Sequence, residues 1–173
     1  MIYNFGTLTV KSGTILENND NTTTSGAIAM KDEETGEYTF PSVTDKVRFG
    51  GAVLNGGLME ISGGTIRNNN VGWRGAGIAS YGKIEMTGGT ISGNYARNSW
   101  GDGGAIYLSG KKNDTGEDYT ASDASYCTIS DGNFTNNKSD GAGGAVCADG
   151  YSILYVKGGT FENNAAATTG GGI

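Results

Sequence analysis

Glu60 and Glu85 stand in matching contexts, "LMEIS" and "KIEMT", 25 residues apart. Two carboxylates about 5–10 Å apart are what glycoside hydrolysis needs, one to donate a proton and the other to act as base or nucleophile. The chain has no histidine, so such a pair would work without an imidazole. Arg67, Arg74 and Arg97 fall on different columns or loops with no matching acidic metal site, which weakens a lyase reading. Two glutamates recurring along an exposed sheet are more simply a solvated face, and a polysaccharide-active lyase or glycosidase module stands as the alternative rather than the first reading.

A second group is aromatic and cationic. "NVGWRG" (70–75) and "NYARNSWGDG" (94–103) share a context and bring Trp73, Arg74, Tyr95, Arg97 and Trp100 to one expected corner. Trp, Tyr and Arg dominate binding hot spots, so this corner is the candidate site for a glycan or protein partner; the competing reading packs the tryptophans over an edge. A third group is acidic. Asp32, Glu33, Glu34 and Glu37, and again Asp114, Glu117 and Asp118, offer hard oxygen ligands that suit calcium. Neither cluster has the spacing of a calcium loop, and acidic loops that keep a surface soluble account for both. No other metal or cofactor is expected.

Composition narrows the classes further. The net charge is -6 and the twelve basic residues are scattered, so no cationic strip exists for a phosphate backbone and nucleic-acid binding is not expected. No apolar run approaches the ~20 residues of a membrane-spanning helix. The start, "MIYNFGTLTVKSG", lacks the basic flank and apolar block of a signal peptide, so an export signal is expected outside this sequence or not at all. Cys127 and Cys147 are too few for a disulfide scaffold or a zinc site. Asn21, Asn113, Asn133 and Asn137 match the glycosylation acceptor pattern, as chance allows in so Asn- and Thr-rich a chain.

The elements that must position these groups come from internal repetition. Five copies align: "GTLTVKSGTILENN" (6–19), "GLMEISGGTIRNN" (57–69), "GKIEMTGGTISGN" (82–94), "SYCTISDGNFTNN" (125–137) and "SILYVKGGTFENN" (152–164). With Thr14, Thr65, Thr90, Asn133 and Thr160 as the common mark, the intervals are 51, 25, 43 and 27, so the unit is near 25 residues. A second block follows each copy: "SGAIAM" (25–30), "GAGIAS" (75–80), "GGAIYLS" (103–109), "GGAVCAD" (143–149) and "GGGI" (170–173), with an extra "GGAVLN" (50–55).

On this alignment Leu8, Met59, Ile84, Cys127 and Leu154 form one apolar column, and Val10, Ile61, Met86, Ile129 and Val156 the next. Polar or outward residues alternate between them, the period of a half-buried strand. Ile15, Ile66, Ile91, Phe134 and Phe161 form a third column, and Ile28, Val53, Ile78, Ile106, Val146 and Ile173 a fourth. Cys127 is expected inside and Cys147 outside, which argues against a bond between them. One unit buries three or four apolar side chains, too few to offset ordering about 25 residues at ~1–2 kcal/mol each. Stacking units in parallel turns the columns into a continuous core.

The expectation is an all-β, right-handed parallel β-helix or solenoid of about six coils, at 5–30, 31–55 (degenerate), 56–80, 81–109, 125–149 and 150–173, with an insertion loop over 110–124. Both irregular segments should leave one corner. Paired glycines are expected to turn the chain between sheets, and Asn18, Asn69, Asn94, Asn137 and Asn164, four residues after the mark, to take left-handed geometry and form an amide ladder. Thr14, Thr65, Thr90 and Thr160 align, but the neighbouring columns mix Lys, Glu, Ser and Tyr, which argues against an ice-binding array.

The combination of "GGAI" or "GGAV" with an F-x-x-N element, Phe134-Thr-Asn-Asn137 and Phe161-Glu-Asn-Asn164, resembles the repeats of the chlamydial polymorphic outer-membrane proteins and related bacterial surface proteins. The chain departs from that pattern where Ile15, Ile66 and Ile91 replace the Phe. The resemblance implies a right-handed parallel β-helix on a cell surface, acting in adhesion. The expected function is therefore a structural and adhesive, non-catalytic segment of a secreted or cell-surface bacterial protein. It would bind glycan or protein partners or, because "GGGI" stops part-way through a coil, associate end to end into filaments.

Overall fold

The computed structural model describes residues 1–21, 30–31, 38–39, 49–110 and 124–173. The protein is all-β, with no helix among the described residues. Its described strands make five passes through three parallel sheets. The first pass is β1 (Ile2–Asn4), β2 (Thr7–Val10), β3 (Ile15–Glu17) and β4 (Asp20–Asn21); a short antiparallel pair follows, β5 (Met30–Lys31) with β6 (Tyr38–Thr39). Then come β7 (Val53–Asn55), β8 (Leu58–Arg67) and β9 (Asn70–Val71), and β10 (Ile78–Ser80), β11 (Lys83–Ser92) and β12 (Tyr95–Ala96). The fourth pass is β13 (Ile106–Leu108), β14 (Ser125–Thr135) and β15 (Lys138–Ser139); the fifth is β16 (Val146–Ala148), β17 (Ser152–Val156), β18 (Thr160–Glu162) and β19 (Ala165–Ala166).

Each sheet takes one rung from each pass. The first sheet runs β1-β7-β10-β13-β16, the second β2/β3-β8-β11-β14-β17/β18 and the third β4-β9-β12-β15-β19. Parallel stacking of successive repeats in this way fits a β-solenoid. The registers put Leu8, Met59, Ile84, Cys127 and Leu154 in one column and Val10, Ile61, Met86, Ile129 and Val156 in another. Ile2, Val53, Ile78, Ile106 and Val146 face them from the first sheet, and these side chains make one core cluster except Val156, expected inward but 44% exposed on the edge strand β17. Phe134 and Phe161 stack at 4.6 Å with rings nearly parallel. Full burial of one such side chain contributes about 1.5–3 kcal/mol, so each pass becomes stable only with a neighbour above and below.

The asparagine ladder forms, with its two expected duties split between consecutive residues. Asn19, Asn69, Asn94 and Asn137 each donate through backbone N–H and side-chain Nδ2 to the Oδ1 of the next ladder asparagine, ending at Asn164, at 2.9–3.1 Å. The second Nδ2 hydrogen of Asn69, Asn94, Asn137 and Asn164 goes to the carbonyl of Leu16, Ile66, Ile91 and Phe134. The left-handed turn is made one residue earlier, by Asn18, Asn68, Gly93, Asn136 and Asn163. One residue cannot hold both the turn and the inward-pointing amide. Sequence comparison missed a second ladder, in which Asn4 donates to Asn55 (2.7 Å) and Asn55 to Ser80 (3.0 Å).

Three expectations are corrected. In the first repeat Leu16, not Ile15, pairs with Ile66, because one additional residue sits between Val10 and the strand that follows. Ile15 is 56% exposed, Asn19 replaces Asn18 in the ladder, and Ile15 replaces Thr14 opposite Thr65. The degenerate coil at 31–55 is not interposed: Val53–Asn55 pairs on one side with Ile2–Asn4 and on the other with Ile78–Ser80, so five passes stand where six coils were expected. Ile28 lies outside the described residues, as does most of the insertion at 110–124. The corner from which the first irregular segment leaves also lies outside the described residues. Finally, Gly63-Gly64 and Gly88-Gly89 do not turn the chain between sheets. They lie within β8 and β11, where the register shifts and a Cβ on Gly89 would come 2.8 Å from the Gly63 carbonyl oxygen. The bend between the third and first sheets does fall on a glycine of positive φ, at Gly50, Gly75, Gly103, Gly143 and Gly170.

Asn94→Ala deletes a side chain whose Oδ1 and Nδ2 each make two hydrogen bonds inside the structure. The backbone N–H of Asn69 and the carbonyl of Ile66 then lose those side-chain partners, and urea denaturation should show a loss of about 2–4 kcal/mol. Asn68→Gly, at φ 54, should stay within about 1 kcal/mol of the parent; equal losses at the two positions would mean the ladder carries no special weight.

Candidate functional site: the aromatic and arginine corner

The connections from the third sheet to the first carry the predicted binding residues. Two of them, 72–77 and 140–145, are six residues long, while 97–105 is nine. Trp73 and Arg74 lie in the first of these, Arg97 and Trp100 in the long one, and Tyr95 on β12 just before it. The contacts divide these five residues into two groups that were expected to be one.

Arg74 centres the first group. Its guanidinium lies 4.8 Å from the Tyr107 ring centroid and 5.4 Å from that of Trp73. It donates to the Tyr107 hydroxyl at 2.7 Å, and its Nε stands 3.2 Å from Asp102 Oδ2. The Tyr107 hydroxyl in turn donates to Asp149 Oδ2 at 2.8 Å. Phe49 stacks on Trp73 at 5.4 Å, meets Tyr81 edge-on and lies over Tyr107. Arg74 thus ties its own corner to Asp102 in the next connection, to Tyr107 on β13 and to Asp149 after β16. Leu54, Ala79 and Tyr107 occupy the outward face of the first sheet, yet all are buried, so the three central rungs of this sheet are covered on both faces, while Tyr3 at one edge is 41% exposed. The Trp73 Nε1 and Arg74 Nε hydrogens are buried without a hydrogen-bonded acceptor among the described residues.

Burial pushes both the Tyr81 and Tyr107 hydroxyls well above their ordinary pKa. Burial alone would raise the Asp149 carboxyl as well, but the Gly150 N–H, the Tyr107 hydroxyl and the Arg74 charge outweigh it and hold Asp149 low. Cys147 sits on the outward side of β16, half-buried, its thiol pushed up to about 11 by burial and then by the charges of Asp102 and Asp149. Cys127 is in the core of the second sheet, pushed up to about 12 by burial. Both thiols are free.

The second group surrounds Tyr95. The Arg97 guanidinium lies 5.0 Å and the Lys138 ammonium 4.5 Å from its ring centroid. Its hydroxyl hydrogen bonds to Asp140 at 2.8 Å, and Arg97 donates to Asn70 Oδ1 at 3.4 Å. Trp100 is 66% exposed. Its backbone is nevertheless pinned: the Trp100 N–H donates to Asn98 Oδ1 at 2.8 Å, the Asn98 N–H to Asp140, and Asn98 Nδ2 to the Gly72 carbonyl.

Glu60 and Glu85 are register partners on the second sheet, as their spacing suggested. Glu85 is ion-paired with Lys83 at 2.5 Å, and Glu60 accepts from the Thr9 hydroxyl at 3.1 Å. The calcium candidates Asp32, Glu33, Glu34, Glu37, Asp114, Glu117 and Asp118 lie outside the described residues. No group of three or more metal-ligating side chains occurs among the described residues. Of the glycosylation acceptors, Asn137 is buried in the ladder and Asn133 is exposed. Sequence reading missed Phe49, Tyr81, Asp102, Tyr107, Lys138, Asp140 and Asp149. Only Tyr107 carried a signal, as the outward residue between inward Ile106 and Leu108.

Arg74→Ala should cost about 3 kcal/mol, because it leaves the mostly buried Asp102 without its cation and removes the packing between the Trp73 and Tyr107 rings. Trp73→Phe should stay within about 1.5 kcal/mol, since the lost N–H has no partner; denaturation midpoints of the two variants test the ranking. The alkaline limb follows from the shifts. The folded thiols and hydroxyls stay neutral above the values of the unfolded chain, 9.0 for Cys and 10.0 for Tyr. Their contribution is therefore complete below pH 9 and declines as pH rises through the folded values. Urea midpoints at pH 8 and 10.5 should show the fall, and Tyr107→Phe should make it shallower.

No protein-family model matches the chain, and no curated protein and no solved structure matches it.

Proposed function

We propose that this chain is a structural and adhesive segment of a bacterial secreted or cell-surface protein. It is a right-handed parallel β-helix that presents corner residues to glycan or protein partners outside the cell, without catalysis. Right-handedness is the hand that connections between parallel strands take in nearly all cases. The observation that carries adhesion is Trp100, an indole 66% exposed on a hydrogen-bonded excursion that also carries exposed Arg97. Such a side chain adds nothing to the core, and a stiff backbone presents it at low entropic cost to a partner. The partnered state of Glu60 and Glu85 favours a solvated face over a catalytic pair.

End-to-end association belongs to the same proposal and has an electrostatic condition. In the second sheet Glu17, Arg67, Ser92, Thr135 and Glu162 share one column. A copy stacked head to tail sets Glu162 against the next molecule's Glu17 at roughly the 4.8 Å strand spacing; Arg67 pairs with Glu17 at 2.7 Å, and the repulsion that remains is between Glu162 and that pair and between two copies of net charge -6. Association should therefore strengthen with salt.

Glycan arrays and immobilised host proteins test adhesion: the chain is retained, Trp100→Ala weakens retention about tenfold, and no reducing ends are released. Reducing-end release that disappears in Glu60→Gln or Glu85→Gln would replace this reading with the polysaccharide-active one. Light scattering should show particle size growing between about 0.05 and 1 M salt, and Glu162→Lys should raise it at low salt; strictly monomeric protein throughout removes self-association.

A further inference from the structure

We infer that the Tyr95, Arg97, Trp100 and Lys138 corner takes an acidic polysaccharide, one sugar face lying on the Trp100 indole and carboxylates of the polymer pairing with Arg97 and with Lys138. This rests on the adhesive reading above and narrows its ligand to one chemical class.

Three observations converge on it. The connection 97–105 is three residues longer than its counterparts at 72–77 and 140–145 (nine against six), and the excess carries Trp100 outward. The excursion is held by Asn98 at φ 86 through both its backbone and its side chain, so the indole stands on a preset base. An exposed aromatic face is apolar and electron-rich, and the C–H face of a pyranose ring covers it well.

The second observation is charge. Arg97 and Lys138 both lie over the Tyr95 ring, two cations on one side chain in a chain of net charge -6. The compensating carboxylate, Asp140, is already engaged by the Tyr95 hydroxyl and the Asn98 N–H, and stands 3.9 Å from Lys138. Among the described residues exposed Arg97 has a single long hydrogen bond, to Asn70 at 3.4 Å. Arg74 makes the contrast: on the same type of connection it is enclosed between two rings and faces two carboxylates. A carboxylate placed against Arg97 or Lys138 would make charge-assisted bonds.

The third observation is the field of the whole molecule. A net charge of -6 opposes a polyanion as dense as nucleic acid. It tolerates a polymer with one charge per sugar that meets a local cationic spot, and the flat ring such a polymer brings is what the indole can use.

The test compares oligogalacturonate, its methyl ester and poly-glutamate by isothermal titration against the whole chain at two salt concentrations. Oligogalacturonate should bind, weaken with salt, and lose about tenfold in Trp100→Ala and about three- to tenfold in Arg97→Gln or Lys138→Gln. The methyl ester, which keeps the ring and removes the charge, should bind at least about fivefold more weakly. Unchanged circular dichroism and denaturation midpoints in these surface variants keep misfolding apart from lost contacts. Equal binding of the methyl ester, still dependent on Trp100, overturns the acidic class and leaves a glycan-binding corner in place. Poly-glutamate bound as tightly as oligogalacturonate overturns the sugar in favour of an acidic peptide. Binding of no glycan at all removes this inference and the glycan reading together.

Discussion

Stacking in register is the constraint on which the rest of this structure depends. Backbone hydrogen bonds between parallel strands hold successive passes one strand spacing apart, so a residue lies against its equivalent in the next pass rather than against an arbitrary neighbour. An apolar residue repeated there becomes a core column, such as Ile66, Ile91, Phe134 and Phe161. An asparagine repeated there becomes a ladder in which every amide hydrogen is used. A glutamate repeated there becomes a repulsive pair unless something neutralises it, as Lys83 does for Glu85.

The ladder and the core reinforce each other. Asn69, Asn94, Asn137 and Asn164 each spend an inward amide hydrogen on the carbonyl of the residue that carries the Leu, Ile or Phe of that column. The sharp corner between the second and third sheets is thereby fastened to the widest side chains of the core. The left-handed residue just before the ladder makes the turn, and asparagine or glycine is found there because few other residues tolerate positive φ. A corner built this way is rigid, which lets irregular additions at other corners hold fixed positions.

Departures from the repeat are where the molecule becomes individual. The additional residue in the first pass turns Ile15 to solvent. The burial of Tyr107 on the outward face of the first sheet gives Arg74 a ring, a hydroxyl and two carboxylates drawn from three successive passes. Three added residues in one connection leave Trp100 outside while Trp73, expected to share its site, is stacked beneath Phe49. Two tryptophans in similar sequence contexts thus have opposite roles, one in packing and the other presented outward.

The amino-acid sequence alone determined the parts governed by periodicity: the all-β character, three of the four apolar columns over most of the chain, the inward placement of Cys127 and the existence of the asparagine ladder. These follow from alternation along a strand and recurrence near 25 residues, both countable in one dimension. Tertiary structure alone decided the first-pass register, the direct pairing of Val53–Asn55 with Ile2–Asn4, and the division of the candidate site into a closed cluster at Arg74 and an open one at Tyr95. Those outcomes turn on which outward faces are covered and by what. Coverage arises between residues such as Phe49 and Tyr107, or Arg74 and Asp149, that share no local pattern and meet only when separate passes are stacked.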